Sequence, residues 1–249
     1  MSSLVSIITP SYNSSRFIKE CINSVLSQSY KDWEMWIIDD ASTDNSKELI
    51  LDFSKRDKRI KHMFLSKNIG AASSRNVAIN KANGSYIAFL DSDDIWDNRK
   101  LEKQINFMNN NNIAFSFSDY EVISEDGDRV INLIKAPYRM TYSSYLKNTI
   151  IGCLTVILDK KIIGDFRMPN IRSSHDMALW LSIMKKGFDA YNLNENLARY
   201  RLVKGSNTGQ KWRAAIDVWH VYRKVEKLSF VFSVYCFFSY VFNAIKKRI

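Results

Sequence analysis

With 249 residues, 46% of them hydrophobic and 25% charged, the chain holds enough apolar material for one full core, which excludes disordered and fibrous classes. Three Pro and eight Gly exclude a linker-rich architecture, and three scattered Cys with no CxxC pair exclude a disulfide framework and predict reduced thiols in a cytosolic compartment. Of the +10 formal charge, +5 lies between Arg213 and Ile249 (seven Lys/Arg, two Asp/Glu) with no nucleic-acid module beside it, which argues against nucleic acid as a partner.

A strand pattern begins almost at the first residue, leaving no room for a targeting segment. Residues 5–9 are an apolar run stopped by Pro10, the pattern of a buried parallel strand. Residues 16–28 follow with helical spacing of Phe17, Cys21, Ile22, Val25 and Leu26. A second strand at 33–38 ends in Asp39-Asp40, and Ser42-Thr43-Asp44 supplies N-cap chemistry for a helix to about residue 55. A strand at 60–65, a helix at 71–81, an Asn83-Gly84 turn and a strand at 86–90 continue the alternation. Such alternation predicts βαβ units around a mainly parallel sheet.

From residue 113 the rhythm changes. Strands are predicted at 113–117, 154–158 and 196–203, a hairpin at 120–134 around Glu125-Asp126-Gly127, and helices at 174–186 and 211–227. Residues 1–210 then form one domain, with a nucleotide half to about 120 and an acceptor half after it, followed by a tail at 211–249. Residues 228–245 are nearly all apolar or aromatic, flanked by Lys224, Lys227 and Lys246-Lys247-Arg248. Eighteen residues is the lower limit for a bilayer span. Ser229, Ser233, Cys236, Tyr240 and Asn243 make one weakly polar helical stripe, which fits a helix lying in a membrane interface. A helix in a dimer interface or folded onto the core is the competing expectation.

The run from Tyr86 to Asp94 carries the most chemistry: an apolar strand ends in three carboxylates within four residues, Asp91, Asp93 and Asp94. Acids this close repel unless water or a cation neutralises them. Open α/β sheets bind ligands at the carboxyl ends of their strands, so these acids are expected to clamp a divalent metal on a diphosphate.

Four features fall in chain order at predicted strand ends: Thr9-Pro10-Ser11-Tyr12-Asn13, Asp39-Asp40, Asn68 through Asn76, and Asp91-Ser92-Asp93-Asp94. In these motifs the sequence resembles the family 2 glycosyltransferases, which implies the GT-A fold, an α/β mixed and mainly parallel sheet flanked by helices. Under that resemblance Thr9, Pro10, Tyr12, Asp40, Arg75, Asn76, Asp91 and Ser92 bind a UDP-sugar. Tyr12 offers a ring to the base, Asp40 an acceptor to a base N–H, and Arg75 a charge opposing the diphosphate, to which Asn76 adds a hydrogen bond. Asp39 caps the turn after it. Asp93 and Asp91 hold Mn²⁺ or Mg²⁺, with Asp94 as support. Ser173-Ser174-His175-Asp176 resembles the family's Glu-Asp segment with His175 in place of Glu, which makes Asp176 the expected general base.

A base opposite the leaving group implies single displacement with inversion. The resemblance further implies a hexose or N-acetylhexosamine donor, an undecaprenyl-diphosphate-linked acceptor for O-antigen or capsule, and a place at the cytoplasmic face of the bacterial inner membrane, on which residues 228–249 would rest. Tyr200 through Ser206 departs from the family pattern in lacking a His, leaving Lys204 or Arg201 to meet the diphosphate. Trp180 reads as core packing or sugar stacking, and His62 and His220 receive no role. Two competitors remain: a sugar nucleotidyltransferase, disfavoured because no Gly-rich basic loop follows the first strand, and a non-catalytic saccharide- or nucleotide-binding membrane scaffold.

Overall fold

The computed structural model describes residues 3–171, 173–203 and 211–246. β1 (Val5–Ser11), β2 (Trp33–Asp39), β3 (Ile60–Phe64) and β4 (Tyr86–Phe89) are parallel, joined by α1 (Ile18–Leu26), α2 (Ser46–Arg56) and α3 (Ala71–Lys81). Every residue of β1 is buried, as a strand covered on both faces requires. β1 runs two residues beyond the predicted stop and includes Pro10. Its pairing with β4 ends at Ile8, so the missing N–H falls where that side of the strand is no longer bonded.

After the acid turn come β5 (Ile95–Trp96) and α4 (Lys100–Asn111), neither of them predicted. The inward stripe of α4 is Lys100, Leu101, Gln104, Ile105 and Met108, and its two buried polar residues break the apolar periodicity. β6 (Phe115–Ile123) and β7 (Val130–Ile134) form the predicted hairpin, with the separate strand at 113–117 absorbed into β6. β8 (Arg139–Met140), α5 (Tyr142–Lys147), a 3-10 turn at Cys153–Thr155, β9 (Ile157–Asp159), α6 (Lys160–Ile163), α7 (His175–Lys185) and β10 (Ala190–Arg201) follow. β10 begins six residues before its predicted start, because register shifts accommodate the turn-like Asn192 to Asn196 within the strand. The described chain ends with α8 (Lys211–His220), a π-helical turn Val221–Val225 and α9 (Phe230–Lys246).

The sheet runs β3-β2-β1-β4-β9-β6-β10-β5, with β7 on β6 and β8 on β10. β9 is antiparallel to both β4 and β6 and welds the parallel first half to the second. Apolar clusters cover both faces. Trp180 lies wholly inside one of them, with ring centroids 5.5 Å from Phe89 and 5.3 Å from Phe115, which assigns it to packing.

The C-terminal helix sits on the second half with its weakly polar stripe inward. Ser233 and Cys236 are fully buried, Tyr240 packs against the core, and Asn243 Nδ2 donates to the Lys147 carbonyl at 3.0 Å. The opposite face, Phe230, Val231, Tyr235, Phe238, Phe242 and Ile245, is 54–79% exposed, and Trp212 of α8 is 85% exposed. Among the described residues no helix is long and apolar enough to cross a membrane.

Candidate active site

The carboxyl ends of β1, β2 and β4 open on one side of the sheet, and a cleft of about 190 Å³ lies between them. Pro10, Ser11 and Tyr12 line it from the first strand end, Asp40 from the second, Ala71 and Arg75 from α3, and Asp91, Ser92 and Asp93 from the turn after β4. Seven of the predicted residues therefore share one wall-to-wall space.

Local bonding explains the shape. Asn13 adopts a positive φ of 49°, and the loop carrying Tyr12 is tied to the start of α2. Asn13 N–H donates to Ser42 Oγ, Thr43 N–H to Asn13 Oδ1, and Ser15 N–H to Asp44 Oδ2, at 2.9, 2.9 and 3.0 Å. The side chains of residues 42–44 thus serve this cross-loop tie, while α2 itself starts at Ser46. The result is a Tyr12 ring held half exposed over the cleft. Asp39 Oδ1 accepts from Ser42 N–H at 3.0 Å, the turn-capping role expected of it.

Asp40 is buried, and its two oxygens each accept one backbone N–H, from Ile69 and Gly70, both at 2.8 Å. Gly70 has φ +83°, a conformation that suits glycine, and it lets the chain turn sharply into α3. The N-terminal end of α3 thereby meets the cleft, and its dipole favours negative charge there. Arg75 is 4% exposed and forks between the Asp91 carboxylate and His175 Nε2, the latter at 2.6 Å. His175 opens α7, so this fork joins the cleft to the helix that carries Asp176. Asp176 sits in the first turn of α7, with Oδ1 accepting from Met177 N–H at 2.8 Å.

The acid turn is electrostatically tense. Burial, and then the neighbouring Asp91, pushes the Asp93 carboxyl up to about 6. Asp94 is held well above the usual carboxylate range by burial and by Asp93 and Asp91. Its Oδ1 accepts from Arg201 N–H at 2.9 Å, and its buried Oδ2 has no hydrogen-bond partner among the described residues. Carboxylates strained this way gain from a nearby cation. Among the described residues no group of three or more His, Cys, Asp or Glu side chains can hold an ion alone. Two carboxylates lining the cleft, Asp91 and Asp93, fit a divalent ion of the kind that takes one or two carboxylates and completes its shell with substrate phosphates.

Three expectations need correction. Asn76 does not reach the cleft: its amide donates to the Met168 carbonyl and accepts from Met168 N–H, both at 2.8 Å, which fastens α3 to the segment before α7. Thr9 is fully buried within β1 and does not line the cleft. Arg201 is 2% exposed, with its guanidinium donating to the carbonyls of Asp93 and Glu125 and to the Glu20 carboxylate. It braces the acid turn from behind, buried away from the cleft lining. Lys204 lies outside the described residues. Two cleft residues were not anticipated, Ser11 and Ala71, although both sit within the quoted motifs and a small residue opening a helix was the available signal.

A mixed sheet with a parallel first half, a cleft at its strand ends and an acid turn after the fourth strand define an α/β protein of the GT-A fold. The model of "Glycosyl transferase family 2" matches residues 6–163. The chain belongs to glycosyl transferase family 2. TuaG of Bacillus subtilis (strain 168), a glycosyltransferase assigned to teichuronic acid biosynthesis, is 50% identical over 99% of this chain and 98% of its own length. WfgD of Escherichia coli, a UDP-Glc:alpha-D-GlcNAc-diphosphoundecaprenol beta-1,3-glucosyltransferase, is 40% identical over 98% and 95%. Among solved structures, residues 1–349 of S. aureus TarS in complex with UDP-GlcNAc superpose with a TM-score of 0.70 at 22% identity. That match covers 88% of this chain and 64% of the TarS chain, so the present chain spans just under two thirds of it.

Proposed function

We propose that this protein is an inverting glycosyltransferase that moves a hexose or N-acetylhexosamine from a UDP-sugar to a saccharide acceptor carried on undecaprenyl diphosphate, in the synthesis of a cell-surface polysaccharide. The observation that carries the reading is the cleft itself, where Tyr12, Asp40, Arg75, Asp91 and Asp93 converge. Their chemistry matches the parts of a nucleotide sugar in order. The exposed Tyr12 ring stacks on the base, and Asp40 keeps lone pairs for a base N–H beyond the two bonds it accepts. Arg75 and the α3 N-terminus face the diphosphate. The donor half is residues 1–120, and the acceptor half 121–210 contributes the base.

Asp91 and Asp93 are the residues that would hold Mn²⁺ or Mg²⁺. When bound, a divalent ion there supplies charge neutralisation to the departing diphosphate. Asp176 removes the proton of the attacking hydroxyl, worth about 10²–10⁴-fold in rate. The hydroxyl attacks the anomeric carbon opposite UDP, so an α-linked donor gives a β-linked product. WfgD is named for a UDP-Glc donor, an alpha-D-GlcNAc-diphosphoundecaprenol acceptor and a beta-1,3 linkage, which supports the donor class, acceptor class and β-product assigned here.

The acceptor lipid also gives the outward aromatic face of α9 a place to rest. Six large apolar side chains on one exposed face, beside Lys224 and Lys227, fit a helix lying in the interface of an anionic membrane. Incubating the purified chain with UDP-glucose, UDP-GlcNAc, Mn²⁺ and a diphosphate-linked GlcNAc acceptor tests the whole reading. The expected product is a β-linked disaccharide lipid, identified by nuclear magnetic resonance. Pyrophosphate release in its place indicates a nucleotidyltransferase, and no turnover with any UDP-sugar refutes the proposal.

A further inference from the structure

His175 makes its one hydrogen bond to the described residues through Nε2, and the partner decides the state of the ring. The Arg75 guanidinium has only donors and keeps its charge in proteins. His175 Nε2, 2.6 Å from Arg75 Nη1, must therefore accept. An imidazole that accepts at Nε2 is neutral and carries its single proton on Nδ1. Burial, and then the adjacent Arg75 charge, holds the His175 pKa below its ordinary value, in the same direction.

The proton-bearing nitrogen is the informative one. His175 Nδ1 is buried and has no hydrogen-bond partner among the described residues, and neither has Arg75 Nε on the other side of the same contact. Buried N–H groups in native proteins are normally bonded, so two orphan donors at one contact call for oxygen partners from outside the described residues. Charge narrows the ligand. The imidazole is neutral and offers a single N–H, which suits a hydroxyl better than an anion. The residue after His175 is Asp176, the base assigned above.

We propose that His175 is a sugar-binding residue, a neutral imidazole pinned at Nε2 by Arg75 that donates its Nδ1–H to a hydroxyl oxygen of a sugar held beside Asp176. This rests on the transferase reading and deepens it. The sugar is either the transferred residue or the acceptor residue, and kinetics separates the two.

Two measurements test the proposal. The full-length chain has only three His, so ¹⁵N–¹H correlation of the imidazoles resolves them. One imidazole, lost in His175→Gln, is expected in the neutral Nδ1–H form throughout pH 6–8. An Nε2–H form or a charged ring for His175 overturns the proposal. In the transfer assay, His175→Gln keeps an oxygen acceptor where Nε2 stood and lacks the Nδ1–H. It is expected to bind UDP as the natural chain does while losing about five- to tenfold in kcat/KM for one sugar substrate. A fall on varying the acceptor assigns the hydroxyl to it, and a fall on varying the UDP-sugar assigns it to the transferred residue. His175→Asn returns an amide N–H near Nδ1 and is expected to recover part of the loss relative to His175→Ala. Unchanged kcat/KM for both substrates in His175→Gln overturns the proposal, as does a parallel loss of UDP affinity and both specificity constants. A natural chain that transfers no sugar refutes the transferase reading and this inference with it, whereas an active natural chain with an indifferent His175→Gln refutes this inference alone.

Discussion

The strand ends of the first half and the outer face of the C-terminal helix are unusual in opposite ways. Around the cleft, charge is buried: Asp40, Arg75 and Asp94 are each no more than 4% exposed. On α9, hydrocarbon is exposed, with Val231 at 79% and Phe238 at 70%. Each arrangement costs free energy in an isolated molecule, through desolvated charge in one case and wetted apolar surface in the other. The cleft answers its own cost partly by internal pairing, Arg75 with Asp91 and Asp94 with the Arg201 backbone, whereas the helix face has no such internal answer among the described residues. The lesson is that the site is pre-assembled by its own polar contacts, while the apolar face of α9 is left uncovered among the described residues.

Substitutions can break that contrast. The largest effect is expected from Asp176→Asn, which should lower kcat by about 10²–10⁴-fold while leaving UDP affinity intact, read by transfer rate and calorimetry. Equal loss of both would move Asp176 from chemistry to structure. Asp93→Asn should weaken Mn²⁺-dependent binding of UDP by on the order of tenfold, the scale of one charged contact. In the natural chain that binding should decline as pH falls through about 6, because Asp93 then takes up a proton and loses its charge.

On the other side of the contrast, Phe238→Glu combined with Phe242→Glu should reduce sedimentation with anionic vesicles by about tenfold or more, since each buried aromatic is worth roughly 1.5–3 kcal/mol. Transfer to a water-soluble acceptor should hardly change. Vesicle binding that survives both substitutions would separate α9 from the membrane.

The smallest effect concerns a buried charge remote from any ligand role. Lys100 is fully buried, bonded to the Thr155 carbonyl at 3.1 Å and to Gln104, and burial pushes its pKa down from 10.5 to about 7. Between those values the unfolded chain binds the extra proton, so this residue makes stability rise with pH and contributes no slope below about 7. Lys100→Met should remove that slope. The difference in urea midpoint between the natural chain and the variant is expected to shift in favour of the natural chain from pH 7 to pH 9, and a constant difference would show that Lys100 keeps its proton in the fold.

Much of the donor side was legible because its information is local. A buried parallel strand is a short apolar run, the residue after it must leave the sheet at the same end each time, and an acid there is exposed to ligand by geometry alone. This is why Tyr12, Asp40, Asp91 and Asp93 could be read from contiguous motifs and were found around one cleft. Where the sequence misled, a competing partner had entered from far along the chain. Asn76 belongs to the same motif as Arg75, yet its amide is taken by the backbone of Met168, 92 residues away. The inner stripe of α4 was hidden because Lys100 and Gln104 occupy positions that a periodicity search expects to be apolar.

The sequence by itself determined the alternation of strands and helices, the ends at which polar residues collect and the presence of a strongly apolar C-terminal segment, since all of these follow from propensity and spacing within a few neighbouring residues. Only the tertiary structure decided that Arg75 meets His175 across 100 positions, that Arg201 braces the acid turn instead of facing the cleft, and that α9 turns its polar stripe inward. Each of those outcomes is a choice among rival hydrogen-bond partners or rival faces, and such a choice depends on which groups the assembled sheet brings within about 3 Å of one another.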